Sequence, residues 1–265
     1  MALIEDLIAA AGNTGAAVRE IVTGPDWIMV TAAGSGVAAR IFPAHGDAAG
    51  RKPCEPSTSD TTAAVAGKYL NRPLDDLLGL ASSSDPLKAS LGVAALNSAF
   101  SAGAPAARPR SSGIPRAGGK TVATIGEFAF IEDLKRIADR VITLDAGRNG
   151  PGPDAGSGGI APGQAPDEVQ AGDQALATAD IAIIRGSTLI TGTLESWLAR
   201  TRHCYTVVYG PSTPLSPLLF EYGANQLVGI NVRIADVAAG WIREGGNDLL
   251  ACPGVKPVVI GRDQG

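Results

Sequence analysis

The spacing of apolar positions divides this chain into two patterns. In the first pattern, residues 2–23 predict a helix, residues 27–31 and 37–42 predict the strands of a hairpin, and a short helix is indicated at 74–80. A longer helix opens at Pro86. Helices that flank a small antiparallel sheet form an α+β domain, and this is the fold that we expect for the N-terminal part.

Beyond residue 120, aliphatic and β-branched runs alternate with helical segments. Strands that alternate with helices are typical of a parallel sheet covered on both faces. The chain is therefore predicted to be an α/β protein, in which a Rossmann-like parallel-sheet domain follows the small α+β domain. The predicted strands of this second part are residues 121–125, 141–144, 181–185, 205–209, 226–232 and 258–260, with one of the intervening helices over 131–140.

A stretch rich in Ala, Pro, Arg, Ser and Gly at residues 101–119 separates the two patterns. We place the boundary inside it, which predicts domains of 1–112 and 113–265. A second Gly/Pro-rich stretch covers about 146–172 and has few apolar residues. This composition favours an insertion without packed structure over a flap above the site; a docking tail for a protein partner is a further alternative.

Composition narrows the class of protein. A net charge of −4 and a pI near 5.2 argue against a general nucleic-acid surface. No apolar run approaches the roughly 20 residues of a membrane span. Three cysteines without a C-x-x-C pair fit a reducing cytoplasm. The alanine-rich stretch at 235–240 could support a homodimer.

Candidate chemistry follows two neighbouring predicted strands. A helix that continues to Leu198 is predicted to open directly after the strand 181–185, and a Gly-Pro-Ser-Thr-Pro turn follows the strand 205–209. Backbone N–H groups and hydroxyls at one carboxyl edge suit an anion, and an arginine adds a bidentate positive group. The alternative is that these small residues only cap helices. The candidate ligand-binding residues here are Arg185, Gly186, Ser187, Thr188, Gly210, Ser212 and Thr213.

Two further polar residues are candidates. Asn97 lies on an otherwise apolar helix, where its amide is either a buried hydrogen-bonding group or reaches into the site. Glu127 directly follows the strand 121–125 and is the candidate catalytic residue. It could act as a base or a ligand of a hard metal ion, and an acidic residue at a helix N-terminus is the alternative.

Metal-ligating residue types are few and show no ligand spacing. His203 and Cys204 are adjacent, and neighbouring side chains of a strand point to opposite faces, so we do not expect them to bind one ion. The sequence therefore does not predict a zinc site made by protein ligands alone. Of the two ways to bind a divalent or heavy metal ion, these residues suit an ion carried by a small chelator, whose carboxylates or phosphates contact the two turns, better than an ion held by protein ligands alone. The remaining candidate ligands are His45, Cys54 and Cys252.

Four stretches resemble the putative heavy-metal chelation family: residues 180–194, residues 210–217 with Gly223, and residues 85–87 and 91–98. The resemblance implies an enolase N-terminal-like domain joined to a Rossmann-like domain, with a site in the cleft between them. It also implies a role in binding heavy metals or in making a metal-chelating cofactor. Where relatives carry a His-Phe-Pro-like motif, this chain has Glu127-Phe128-Ala129, so a carboxylate replaces an imidazole.

Together these observations predict a cytoplasmic protein that binds a small anionic ligand or metal complex in the interdomain cleft. The alternative is an enzyme, a transferase or lyase, that acts on an anionic small molecule in cofactor or metallophore synthesis. A proton-transfer group beside the ligand would distinguish the enzyme from the binding protein, and Glu127 is the candidate for it.

Overall fold

The computed structural model describes residues 2–41, 66–103, 116–144, 172 and 174–262. Most of the predicted linker, the Gly/Pro-rich insertion up to residue 171, and the candidate ligands His45 and Cys54 lie outside these residues. The division into domains at residue 112 stays a prediction. We call residues 2–103 the N-terminal unit and residues 116–262 the C-terminal unit.

The N-terminal unit is a small antiparallel sheet with helices, as predicted, but the sheet has three strands rather than the two of the predicted hairpin. The second hairpin strand covers Ser35–Ala39 instead of 37–42, and one predicted helix is too long. The helix α1 ends at Ala11, and residues predicted as its continuation form the strand β1. Positive φ angles at Asn13 and Gly15 interrupt the helix, and Ile21 then pairs with Val30. The elements are α1 (Ala2–Ala11), β1 (Glu20–Thr23), β2 (Trp27–Thr31), β3 (Ser35–Ala39), α2 (Asp75–Leu78) and α3 (Pro86–Gly103), with a 3-10 turn at Gly79–Ser82.

The C-terminal unit is a six-stranded sheet with the order β5-β4-β6-β7-β8-β9. The first five of these strands are parallel to one another, in the order of a flavodoxin-like doubly wound sheet. The strands are β4 (Thr121–Ile125), β5 (Arg140–Leu144), β6 (Ile181–Arg185), β7 (Tyr205–Tyr209), β8 (Gln226–Val232) and β9 (Val255–Gly261); the helices are α4 (Ile131–Ile137), α5 (Leu194–Arg200), α6 (Leu218–Glu221) and α7 (Ala235–Arg243).

Three details of this unit differ from the predictions. The helix expected over 131–140 ends at Ile137, and Arg140 opens β5. The helix expected after β6 is interrupted: a 3-10 turn covers Gly186–Leu189, and the positive φ of Gly192 separates it from α5. The last strand is longer than predicted and antiparallel to its neighbour. Its direction follows from the connection 233–254, which contains α7 and both begins and ends at the carboxyl end of β8, where the Arg233 N–H donates to the Gly254 carbonyl.

The two units share a hydrophobic core. Leu7 of α1 and Leu77 of α2 belong to the same buried cluster as Ile184 of β6 and Leu219 of α6. The alanine-rich stretch of α7 faces partly inward, since Ala238 and Ala239 are buried in a second cluster. A homodimer through this stretch stays a prediction. In the part of the chain that the structure describes, no helix has the length and apolar character needed to cross a membrane.

Tyr222 links the two units, and its hydrogen bond should make the stability of the protein depend on pH in the alkaline range. The Tyr222 hydroxyl donates a hydrogen bond to the Asp6 carboxylate, and this bond, with partial burial and nearby negative charge, raises the pKa of Tyr222 to about 12 from 10.0. The folded pKa lies above the unfolded one. The stabilisation is therefore complete below about pH 10 and is lost as the pH rises through about 12.

We expect the difference between the tyrosinate absorbance titrations of the native protein and Tyr222→Phe to show a phenol that ionises near pH 12. If the phenol that Tyr222→Phe lacks ionises near pH 10 in the native protein, the contact between the units is contradicted.

Candidate functional site

The order of the strands reverses between β4 and β6, and Gly126 and Arg185 lie at this point of the carboxyl edge. The chain passes from β4 to its neighbour β5 on one side and from β6 to its neighbour β7 on the other, which opens a crevice at the carboxyl ends of β4 and β6. Gly126 follows β4 with a φ of 96°, and a Cβ placed there would lie 3.2 Å from the Cβ of Arg185. Glycine therefore allows the arginine side chain to lie directly beside the end of β4.

Arg185 is exposed at this crevice, and no ion pair with a described residue neutralises its charge. Its Nη1 donates to the backbone carbonyl of Glu127 over 3.4 Å, a long hydrogen bond. The Glu127 side chain is also exposed. The structure thus places the predicted cation and the predicted catalytic carboxylate at the same edge, next to each other along neighbouring strands.

A glycine also follows each of the next two strands of this edge, β6 and β7. Gly210 follows β7 with a φ of 121°, a conformation that other residues rarely adopt. Gly186 follows β6, and a Cβ there would overlap the side chain and backbone of Thr213. The two predicted turns therefore pack against each other, as their neighbouring strands require.

An aromatic cluster beside this edge was not singled out from the sequence. Tyr209 ends β7 in register with Arg185, and its ring lies 5.7 Å from that of Phe128 and 5.0 Å from that of Phe130. Burial, and then the charge of Asp248, raise the pKa of Tyr209. The sequence signal was the placement of aromatic residues directly after β4 and at the end of β7.

Ser212 and Asn97 form a second group, which supports the free edge of β3. The N–H of Arg40 points toward the β2 side, where it donates to Asp26, so the polar groups of Val37 and Ala39 point the other way. The Ala39 N–H donates to Ser212 Oγ over 2.9 Å, and Asn97 Nδ2 donates to the Val37 carbonyl over 2.7 Å. Both predicted ligand-binding residues thus have structural partners.

Two buried polar atoms among the predicted site residues nevertheless make no hydrogen bond to the described residues. These atoms are Asn97 Oδ1 and Thr213 Oγ1. The Thr188 hydroxyl donates to the Arg185 carbonyl over 2.7 Å and so stabilises the 3-10 turn, while Ser187 is half-buried. The predicted residues therefore divide into an exposed group around Arg185 and a buried group around Asn97 and Ser212, which meet where Thr213 packs on Gly186.

A cavity between the units lies apart from the predicted residues. It has a volume of about 390 Å³ and is bounded by α1, by residues 81–86 and by residues 189–195; we call it the interdomain groove. None of the nine predicted site residues lines it. Its walls come from three separate segments of the chain, which explains why no local motif indicated it.

Protein ligands for a metal ion are scarce in the described ranges, where no group of three or more His, Cys, Asp and Glu side chains could hold one. The prediction that His203 and Cys204 point apart is wrong, since Cys204 Sγ lies 3.4 Å from His203 Nε2. These residues precede β7, so the alternation of a strand does not apply. Burial, and then the charge of Asp180, raise the pKa of Cys204 to about 11, which disfavours the thiolate that binds metals.

Crystal structures of proteins with the same architecture are known. A protein with unknown function of the DUF364 family from Desulfitobacterium hafniense DCB-2 is 21% identical, with a TM-score of 0.71 over 98% of this chain and 97% of that one. Another from Pyrococcus horikoshii is 17% identical, with a TM-score of 0.65 over 98% of both chains. At these identities the likeness shows the fold alone. No curated protein matches the chain.

Two family models described as putative heavy-metal chelation match most of the chain. DUF4213 matches residues 4–100, and DUF364 matches residues 111–256. The matches cover both units and all four stretches that carried the resemblance. The chain therefore belongs to the putative heavy-metal chelation family.

Proposed function

We propose that this protein binds a small anionic metal complex, in which an organic chelator already holds the metal ion, at the carboxyl edge of β4, β6 and β7. The observation that carries the proposal is the exposed Arg185 between the carboxyl ends of β4 and β6, beside Gly126 and with one long hydrogen bond to the described residues. A guanidinium in this state can bind a carboxylate or phosphate through two parallel hydrogen bonds.

The described residues support a complexed rather than a bare ion. A soft metal ion bound by protein alone needs several Cys or His side chains in one place, and the described part of the chain does not bring such a group together. A chelator would supply the metal ligands itself and present its outer oxygens to Arg185. The family assignment favours a metal-related ligand.

The test is calorimetric titration with three probes: nickel ion alone, citrate alone and the nickel–citrate complex. We expect the complex to bind and the nickel ion alone not to bind. Arg185→Ala should weaken binding of the complex by about 10- to 100-fold, because a hydrogen bond to a charged group contributes about 1.5–3 kcal/mol.

Arg202→Ala is the matched control. Arg202 is also exposed but precedes β7, so the Arg202→Ala variant removes the same charge from the opposite edge of the sheet. We expect its affinity to stay within about twofold of the native value, as for surface charges away from a site. Equal losses in the two variants would reduce the effect to net charge, and binding of nickel ion alone that survives Arg185→Ala would overturn the proposal.

The alternative, a transferase or lyase that acts on the same anion, is favoured by the position of Glu127. Its carboxylate is exposed one residue beyond the glycine that contacts Arg185, where it could exchange a proton with a bound molecule. Glu127→Gln would then abolish turnover and leave binding of the anion intact. The free buried thiols Cys204 and Cys252 support the predicted cytoplasmic location for either function.

A further inference from the structure

We propose that the interdomain groove is a second binding site, separate from the carboxyl edge, and that it takes an apolar molecule carrying a primary ammonium group. The groove has a volume of about 390 Å³, within the range of about 300–1,000 Å³ of small-molecule sites. Apolar walls surround it, and the fold holds one carboxylate in place at them.

The walls of the groove are mainly apolar. Leu3 and Ile4 of α1 face it from one side, and Leu189, Ile190 and Leu194 from another. Such a surface would bind an apolar body by removing it from water, at about 25 cal/mol for each Å² buried. The serines at 82–84 supply the polar rim.

Among the described residues that line the groove, Glu195 is the one that carries a charge. Its Oε2 accepts a hydrogen bond from the Leu3 N–H over 3.2 Å, which orients the carboxylate across the two units. The side chain is half-buried, and its other oxygen, Oε1, has no partner among the described residues. An oriented carboxylate with an unused oxygen at an apolar surface is complementary to an ammonium group.

The other charges near the groove also favour a positively charged ligand. The first turns of α1 and α3 bring partial positive charge, but a full carboxylate neutralises each of them. Glu195 accepts from α1, and Asp85 Oδ1 accepts from the Leu87 N–H at the start of α3. Lys88 lies 3.8 Å from Asp85 and is itself paired there. The lining residues within the described ranges include no lysine or arginine, so an anion would find no counter-charge among them.

Two fluorescent probes of opposite charge test the proposal. Dansylcadaverine carries an alkylammonium group on a naphthalene ring, and dansylglycine carries a carboxylate on the same ring. We expect dansylcadaverine to bind with an increase in fluorescence and dansylglycine to bind at least about tenfold more weakly, because a charge-assisted hydrogen bond is lost.

Glu195→Gln retains an acceptor for the Leu3 N–H and removes only the charge. It should weaken dansylcadaverine binding about tenfold, whereas Glu244→Gln, at an exposed position after α7, should not change it. Ser84→Trp places a large ring at the exposed rim and should block the groove. Arg185→Ala should leave dansylcadaverine binding unchanged, so this result is independent of the proposed anion site.

Equal affinity for the two probes would overturn the proposal, as would the absence of dansylcadaverine binding. Binding of dansylcadaverine that is the same in the native protein and in Glu195→Gln would overturn it too, since the amine would then lie elsewhere on this acidic protein. Glu195→Gln keeps the native shape and hydrogen bond, so it decides the matter even if Ser84→Trp does not fold.

Discussion

Gly36→Ala should lower the free energy of unfolding by about 3 kcal/mol, the upper part of the range for overpacked interiors. A Cβ at Gly36 would overlap backbone atoms of α3 at Ala94, Asn97 and Ser98. Backbone atoms cannot rotate away as a side chain does, so β3 and α3 would have to separate. Urea denaturation followed by circular dichroism measures the loss.

Gly240→Ala is the control for this substitution. Gly240 lies inside α7, and a Cβ there would meet nothing within 4 Å. Alanine should raise the free energy of unfolding by about 0.5–1 kcal/mol, since glycine is unfavourable in a helix interior. Equal effects at the two positions would show that β3 and α3 do not approach as closely as described.

Asn97→Asp should lower the free energy of unfolding by about 3 kcal/mol at neutral pH, although the two side chains have nearly the same shape. Asn97 Nδ2 donates to the Val37 carbonyl, and the side chain is buried. An ionised carboxylate cannot donate, and it would face a carbonyl oxygen away from water. Burial and this repulsion both raise the pKa of the introduced carboxyl above its unfolded value.

The sign of this shift determines the pH dependence. Because the folded pKa is raised, the variant should approach native stability below about pH 4, where the protonated carboxyl can donate to Val37. The deficit should grow as the pH rises through the folded pKa. Thermal unfolding of the native protein and the variant at a series of pH values measures the difference.

Asn225→Asp is the matched control, because the Asn225 amide has the opposite role. Its Oδ1 accepts from the Thr206 N–H over 2.7 Å, and a carboxylate can do the same. We expect a change below about 0.5 kcal/mol at neutral pH. A large pH-dependent loss in this variant, or none in Asn97→Asp, would contradict the described orientation of the Asn97 amide.

This orientation also bears on the proposed ligand site. Because the Val37 carbonyl can only accept, the nitrogen of Asn97 must face it, and the unpartnered atom must be the oxygen. Any group that completes this position has to donate a hydrogen bond. Asn97 was predicted as either a buried hydrogen-bonding residue or a ligand-binding one; the structure gives it the first role and leaves the second as a proposal.

The sequence by itself determined the central strands of the sheet and the family. The strands 121–125, 181–185, 205–209 and 226–232 have the predicted bounds. They consist mainly of aliphatic and β-branched residues, as buried parallel strands do, and the first three are followed directly by a glycine. Arg185 and Glu127 could be placed at one edge for the same reason: residues that directly follow parallel strands share that edge whatever the rest of the chain does.

Tertiary structure alone decided what depends on contacts between distant segments. Residues 20–23 have apolar spacing that suits a helix, but pairing with β2 makes them a strand. The interdomain groove combines α1 with residues more than 180 positions away, as the hydrogen bond between Leu3 and Glu195 illustrates with its separation of 192 residues. Local spacing carries no information about such pairs, because the free energy that brings them together comes from burial in the common core and not from the backbone preferences of either segment.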